Sequence, residues 1–146
     1  HALPPTAGCL AGEHVDLRAR LGLLTEPVEQ VRAEANRERE VVLGVLRERQ
    51  LIGDHPTARE IVEALHLFLI ASDSVLFGVA LVDAVGERRA QNQPGTFREY
   101  PNWQIPLADS AENAVLVDDL ADLSRFGALT RVVDEAMRRI AAERGA

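Results

Sequence analysis

Residues 92–103, NQPGTFREYPNW, combine side-chain amides (Asn92 and Asn102, beside Gln93), a hydroxyl (Thr96), a guanidinium (Arg98) and three aromatic rings (Phe97, Tyr100, Trp103). Amides and hydroxyls both donate and accept hydrogen bonds, and aromatic faces stack on flat apolar surfaces. Pro94, Gly95 and Pro101 shape the backbone that carries them. This composition suits neither a linker nor a core segment; it suits a loop that contacts a ligand. The other candidates for chemistry are weaker. Asp118 and Asp119 read as a solvated helix face. His14, His55 and His66 have no metal-ligand spacing with one another or with Cys9, so neither a metal nor a cofactor is expected. Cys9 reads as a small buried hydrophobe.

Several function classes are disfavoured by composition. At 146 residues and 47% hydrophobic, the chain is long enough for one sizeable core, and a single unit over 1–146 is expected. A formal charge of −7 offers no basic field for nucleic acid or anionic lipid. The apolar runs 67–71 and 75–82 are split by Ser72, Asp73 and Ser74, well short of the ~20 residues of a membrane span. A lone cysteine cannot close an intrachain disulfide, which fits a reducing cytoplasm. TAGC at residues 6–9 lacks the basic start and apolar run of a lipoprotein signal.

The elements that must position the loop are mainly helical. Val15, Leu17, Leu21 and Leu24 recur at helical spacing over 13–24. Thr25 is a good N-cap for a longer helix reaching Leu51, whose charged middle EANRERE reads as a solvated face. Gly53, Asp54 and Pro56 end it. Thr57 with Glu60 then forms a capping-box pattern ahead of Ile61, Val62, Leu65, Phe68 and Leu69. SVLFGVALV, within 74–82, has the β-branched and aromatic content of a strand buried on both faces, although a short buried helix has a similar pattern. The strand is preferred. A final helical region is expected in two pieces, 115–123 and 129–140, parted near Gly127. One buried strand needs neighbours, because unpaired backbone groups are costly when buried. A helix, a strand and a long loop after it suit the end of a (β/α)8 barrel.

The segment FLIASDSVLFGVALVDAVGERRAQNQPGTFREYPNW, residues 68–103, resembles the last barrel strand and following loop of the 4-α-glucanotransferases or amylomaltases of glycoside hydrolase family 77, with their N-x-PGT … E-x-PNW pattern. HALPPTAGCLAG at the start resembles the family's HD-x-P-x-T-x-G segment. The likeness extends from His1 to about Leu107. It implies the C-terminal part of a (β/α)8 TIM barrel: 1–12 a site-like loop, 13–72 helices, 75–82 the last strand, 83–107 the site loop and 108–146 C-terminal helices.

The resemblance implies transfer of α-1,4-glucan segments to acceptor sugars by retaining double displacement, which needs two carboxyl groups ~5 Å apart. The family's nucleophile and acid lie upstream of its HD segment, so this chain supplies neither. Ala2 stands where the family has its third acid, and His1 matches a sugar-hydroxyl ligand. Implied glucan contacts are His1, Asn92, Pro94, Gly95, Thr96, Asn102 and Trp103. Trp103 is the preferred stacking platform; the competing expectation is that Trp103 and Tyr100 plug the barrel rim. The partners implied are a maltooligosaccharide and the missing N-terminal part of the barrel, and the isolated chain is expected to be inactive. The alternative is a non-catalytic helical module, derived from such an enzyme, that binds carbohydrate or another protein.

Overall fold

The computed structural model describes residues 4–74 and 76–144. His1, Ala2 and Val75, all named above, lie outside the described residues. The chain is mainly helical: α1 (Thr6–Leu10), α2 (Glu13–Arg20), α3 (Val28–Glu48), α4 (Ala58–Ile70), α5 (Leu81–Val85), a 3-10 segment (Val117–Asp122) and α6 (Ser124–Arg144).

Helix α4 lies between two apolar clusters. Ile61 and Ala64, three residues apart, meet Leu43 and Leu46 of α3, with Leu10 and Phe68 packed alongside. Val62 is rotated about 100° from Ile61 and meets Ala84 of α5 and Leu129 of α6. Leu10 packs against both clusters, which ties α1 to the centre of the molecule.

The start of α4 follows the sequence pattern in full. The Glu60 N–H donates to Thr57 Oγ1 at 3.2 Å, and the Glu60 carboxylate accepts from the Thr57 N–H at 2.7 Å. Thr57→Ala should therefore cost about 1 kcal/mol, measured by urea denaturation followed by circular dichroism. An unchanged midpoint would mean that water replaces the cap without loss.

Two helix ends differ from expectation. The N-cap of α3 is Pro27 rather than Thr25. The helix stops at Glu48 because Gln50 turns left-handed (φ 58°), letting the Leu51 N–H reach Leu46 O and the Gln50 N–H reach Arg47 O, both at 2.9 Å. That closure satisfies two terminal carbonyls. At the other end of the chain, α6 runs straight through Gly127, and the break falls at Leu123. A glycine lowers helix propensity by only about 1 kcal/mol, and buried Ala128 and Leu129 hold the helix across it.

The largest correction concerns 75–82. No strand occurs among the described residues; the one β-bridge joins Ala108 and Ala114. Residues 76–80 are irregular, Leu81–Val85 is helical, and Leu76 is 89% exposed. The apolar run marks a tendency to be covered, but a strand also needs a neighbouring strand for its N–H and C=O groups. The described residues offer none. Residues 6–10, expected within a loop, form α1 instead.

Candidate functional site: a loop clasped at its base

Gly86 ends α5 in a left-handed conformation (φ 84°), a geometry that favours glycine. The next residue, Glu87, is 1% exposed despite its charge. Its Oε1 accepts from the Arg88 N–H, the Arg89 N–H and Arg89 Nε, and its Oε2 accepts from Arg89 Nη2 and the Ala108 N–H, all within 3.0 Å. Burial opposes the charge on Glu87, but the Arg89 guanidinium and the backbone N–H groups outweigh it and hold the carboxyl below its usual pKa. Arg89 also donates to Pro106 O at 2.9 Å. The two limbs of the loop, 87–89 and 106–108, are thus joined through one buried acid.

Above this clasp the loop bonds to itself. Tyr100 donates its hydroxyl proton to Ala90 O at 2.5 Å, and the Trp103 N–H donates to Gln91 O at 2.7 Å. Asn102 Oδ1 accepts from the Gln93 N–H at 2.7 Å, while Asn102 Nδ2 donates to Thr96 Oγ1 at 2.8 Å. The Thr96 hydroxyl in turn donates a hydrogen bond to Gln93 O at 2.7 Å. Between them, Pro94 and Gly95 (φ 87°) make a turn closed by the Thr96 N–H on Gln93 O, the residue order of a type II turn. Glu99 accepts from the Phe97 and Arg98 N–H groups, and these bonds keep its carboxyl below the usual range.

The N-terminal segment adjoins the loop base. Thr6 donates through its N–H and its hydroxyl to the two Asp83 oxygens at 2.8 and 2.9 Å. Gly8 sits so close to the Arg88 carbonyl that a Cβ would overlap it, and the Arg88 guanidinium pairs with Glu13. A cleft of about 380 Å³ opens here, with Pro4, Glu13, Arg20, Arg88 and Tyr100 on its walls.

The implied site residues therefore divide. Thr96 and Asn102 spend their polar atoms closing the loop. Pro94 and Gly95 form its turn. Asn92 lies half-buried beside them. Trp103, held at φ 61°, is 68% exposed and Phe97 is 82% exposed, with the Arg98 guanidinium 5.8 Å from the Phe97 ring centre. Tyr100 is the aromatic that packs inward. Elsewhere, Asp118 and Asp119 are exposed on the 3-10 segment. Burial, with a smaller contribution from Asp83, raises the Cys9 pKa, which keeps the thiol protonated and unreactive. Sequence reasoning missed Glu87, Arg89, Asp83 and Thr6. A signal for Glu87 was present: an acid directly after an apolar run and a glycine lies too near the core to be solvated.

This loop holds a fixed shape and presents aromatic surface, and its two acids, Glu87 and Glu99, are engaged by N–H donors. The family model described as 4-alpha-glucanotransferase matches residues 1–111. The 4-alpha-glucanotransferases of Mycobacterium tuberculosis and Mycobacterium bovis are each 46% identical over 138 residues, covering 93% of this chain and 19% of their own length. The crystal structure of amylomaltase from Corynebacterium glutamicum superposes with a TM-score of 0.82 at 40% identity, over 92% of this chain and 20% of that one. The chain thus spans about a fifth of the length of the relatives it matches, and within that span it belongs to the 4-alpha-glucanotransferase family.

Proposed function

We propose that the chain works as part of a 4-α-glucanotransferase of the cytoplasm that moves α-1,4-glucan segments onto acceptor sugars by retaining double displacement, and that loop 92–103 is one wall of its glucan cleft. The observation that carries this is the exposure of Trp103: its indole is 68% exposed on a loop whose backbone and polar side chains are bonded internally. No other described part of this chain covers it, and the variants below distinguish a stacking face from a rim plug that the rest of the barrel would cover. An exposed indole on a fixed backbone is a stacking face for a pyranose. Pro94 and Gly95 set the turn, Thr96 and Asn102 hold it, and Asn92 and His1 bond sugar hydroxyls. The nucleophile and the acid come from outside this chain. Ala2 supplies no third carboxylate, so transfer at full rate requires an acid there.

The test is a chimera in which this chain replaces the matching segment of the Corynebacterium glutamicum amylomaltase, with either Ala2 or Asp at position 2, assayed for disproportionation of maltotriose. The A2D chimera should transfer glucan, and the Ala2 chimera should be far slower. Within the A2D chimera, Trp103→Ala should lower kcat/KM about tenfold, the equivalent of one lost stacking contact, without lowering Tm. A lowered Tm with unchanged kinetics would make Trp103 a packing residue. If the 146-residue chain alone converted maltotriose to glucose and longer products, the catalytic acids would have to be sought within it.

A second reading, a non-catalytic module that docks onto the rest of a barrel, draws on the exposed Leu76, Val79 and Leu81. It is distinguished by whether the separate chain restores activity to an amylomaltase lacking this segment.

A further inference from the structure

A second cavity, of about 420 Å³, lies among α1, α3, α4 and α6. Four arginines line it: Arg39 of α3, Arg59 of α4, Arg88 of the loop base and Arg125 of α6, together with the hydroxyl-bearing Thr57 and Ser110. In a chain of net charge −7, four cations around one cavity are out of keeping with the overall balance. Three of them have a carboxylate neighbour: Arg39 has Glu40, Arg59 has Glu63 and Arg88 has Glu13. Arg125 has no carboxylate within ion-pair distance among the described residues. Glu63 and Asp83 act on Arg125 from beyond ion-pair distance, so its charge is compensated in part without a direct partner.

The donors are also incompletely used. Arg125 Nη2 and Arg39 Nε are buried and meet no hydrogen-bond acceptor. A buried N–H without an acceptor is costly, and more so when it belongs to a charged group. The absence of a side chain at Gly86 leaves room for Arg125. Its guanidinium lies against the Gly86 backbone, where a Cβ would come within 2.7 Å of Cζ and Nε. Burial and the nearby Arg59 both disfavour its charge, and Glu63 and Asp83 offset this only in part.

A cavity lined by four guanidiniums matches a tetrahedral dianion, which accepts several N–H bonds at once and relieves the repulsion among the arginines. We propose that this cavity binds a phosphate group, carried either as inorganic phosphate or as a phosphate ester of a small molecule. A carboxylate would meet fewer of the donors and carry half the charge. The volume leaves room for an organic substituent beside the phosphate.

The test measures Tm of the full chain against inorganic phosphate, a hexose monophosphate and the unphosphorylated hexose, each at constant ionic strength maintained with chloride, with calorimetric titration for affinity. Both phosphates should raise Tm in a saturable way. An ester binding about tenfold tighter than inorganic phosphate identifies the ester as the ligand, whereas equal affinities identify the phosphate group alone. Arg125→Met, folded by circular dichroism, should abolish the response. Arg59→Met, at a more exposed position, should weaken it about tenfold and decides the matter if Arg125→Met does not fold. The proposal is overturned if the wild-type chain gives no saturable response up to about 50 mM phosphate, if the hexose alone acts equally, or if a folded arginine variant binds like wild type.

Discussion

Replacing Glu87 by alanine lowers the stability of the chain by about 3 kcal/mol and loosens the loop it clasps. The carboxylate is 1% exposed and accepts five hydrogen bonds from three residues, two of them on its own limb of the loop and one on the far limb. Removing it leaves the Ala108 N–H and part of the Arg89 guanidinium facing a cavity without an acceptor. Loss of one partner from a buried ion pair costs about 3–5 kcal/mol, and the low end applies because the Arg89 side chain is 35% exposed and regains some hydration. Glu87→Gln should cost less, because the amide keeps one acceptor, but it turns an NH2 group toward a donor. Chemical denaturation measures the loss. Trp103 is the one tryptophan of the chain, so its fluorescence reports the loop directly, and hydrogen exchange at the Ala108 amide reports the clasp. A loss under about 1 kcal/mol would mean that water substitutes for the carboxylate.

The same residue sets a pH dependence. The folded pKa of Glu87 lies below the usual 4.5, so its stabilisation is full above that value and is lost as pH falls through the lowered folded value. The difference between wild type and Glu87→Ala should therefore hold at neutral pH and shrink in acid. A constant difference down to the acid limit would show that folding leaves the carboxyl's pKa unshifted.

Gly8→Ala should cost about 3 kcal/mol, although alanine is the better helix former. A Cβ at this position overlaps the carbonyl oxygen of Arg88, and its next neighbours are also Arg88 backbone atoms. Backbone cannot rotate aside as a flexible side chain can, so α1 must move off the loop base. Overpacking costs about 1–3 kcal/mol, and the displacement also strains the two bonds from Thr6 to Asp83. Gly44→Ala is the internal control: this glycine is exposed within α3, nothing lies within 4 Å of its Cβ position, and the substitution should stabilise by about 0.5–1 kcal/mol. Opposite signs for one chemical change would locate the effect in the close approach of α1 to Arg88. Equal signs would mean that α1 is not held against the loop in solution.

Sequence alone determined the parts of this protein whose bonds close within a few residues. The Thr57 and Glu60 cap, the Pro94–Gly95 turn and the apolar stripes of α3 and α4 are of this kind, since donor and acceptor, or one face of a helix, are set by spacing. Tertiary structure decided what depends on distant partners. Residues 76–82 carry the same apolar signal whether or not a neighbouring strand is present, and the described residues provide none. Gly127 stays helical because Ala128 and Leu129 are buried against other elements. Glu87 looks like a surface acid until Ala108, 21 residues further on, completes its shell. Trp103 and Tyr100 are alike in sequence, yet one faces outward and the other bonds inward to Ala90. A residue's spacing sets which groups it can offer, but burial and charge depend on whether the rest of the chain brings groups to meet them.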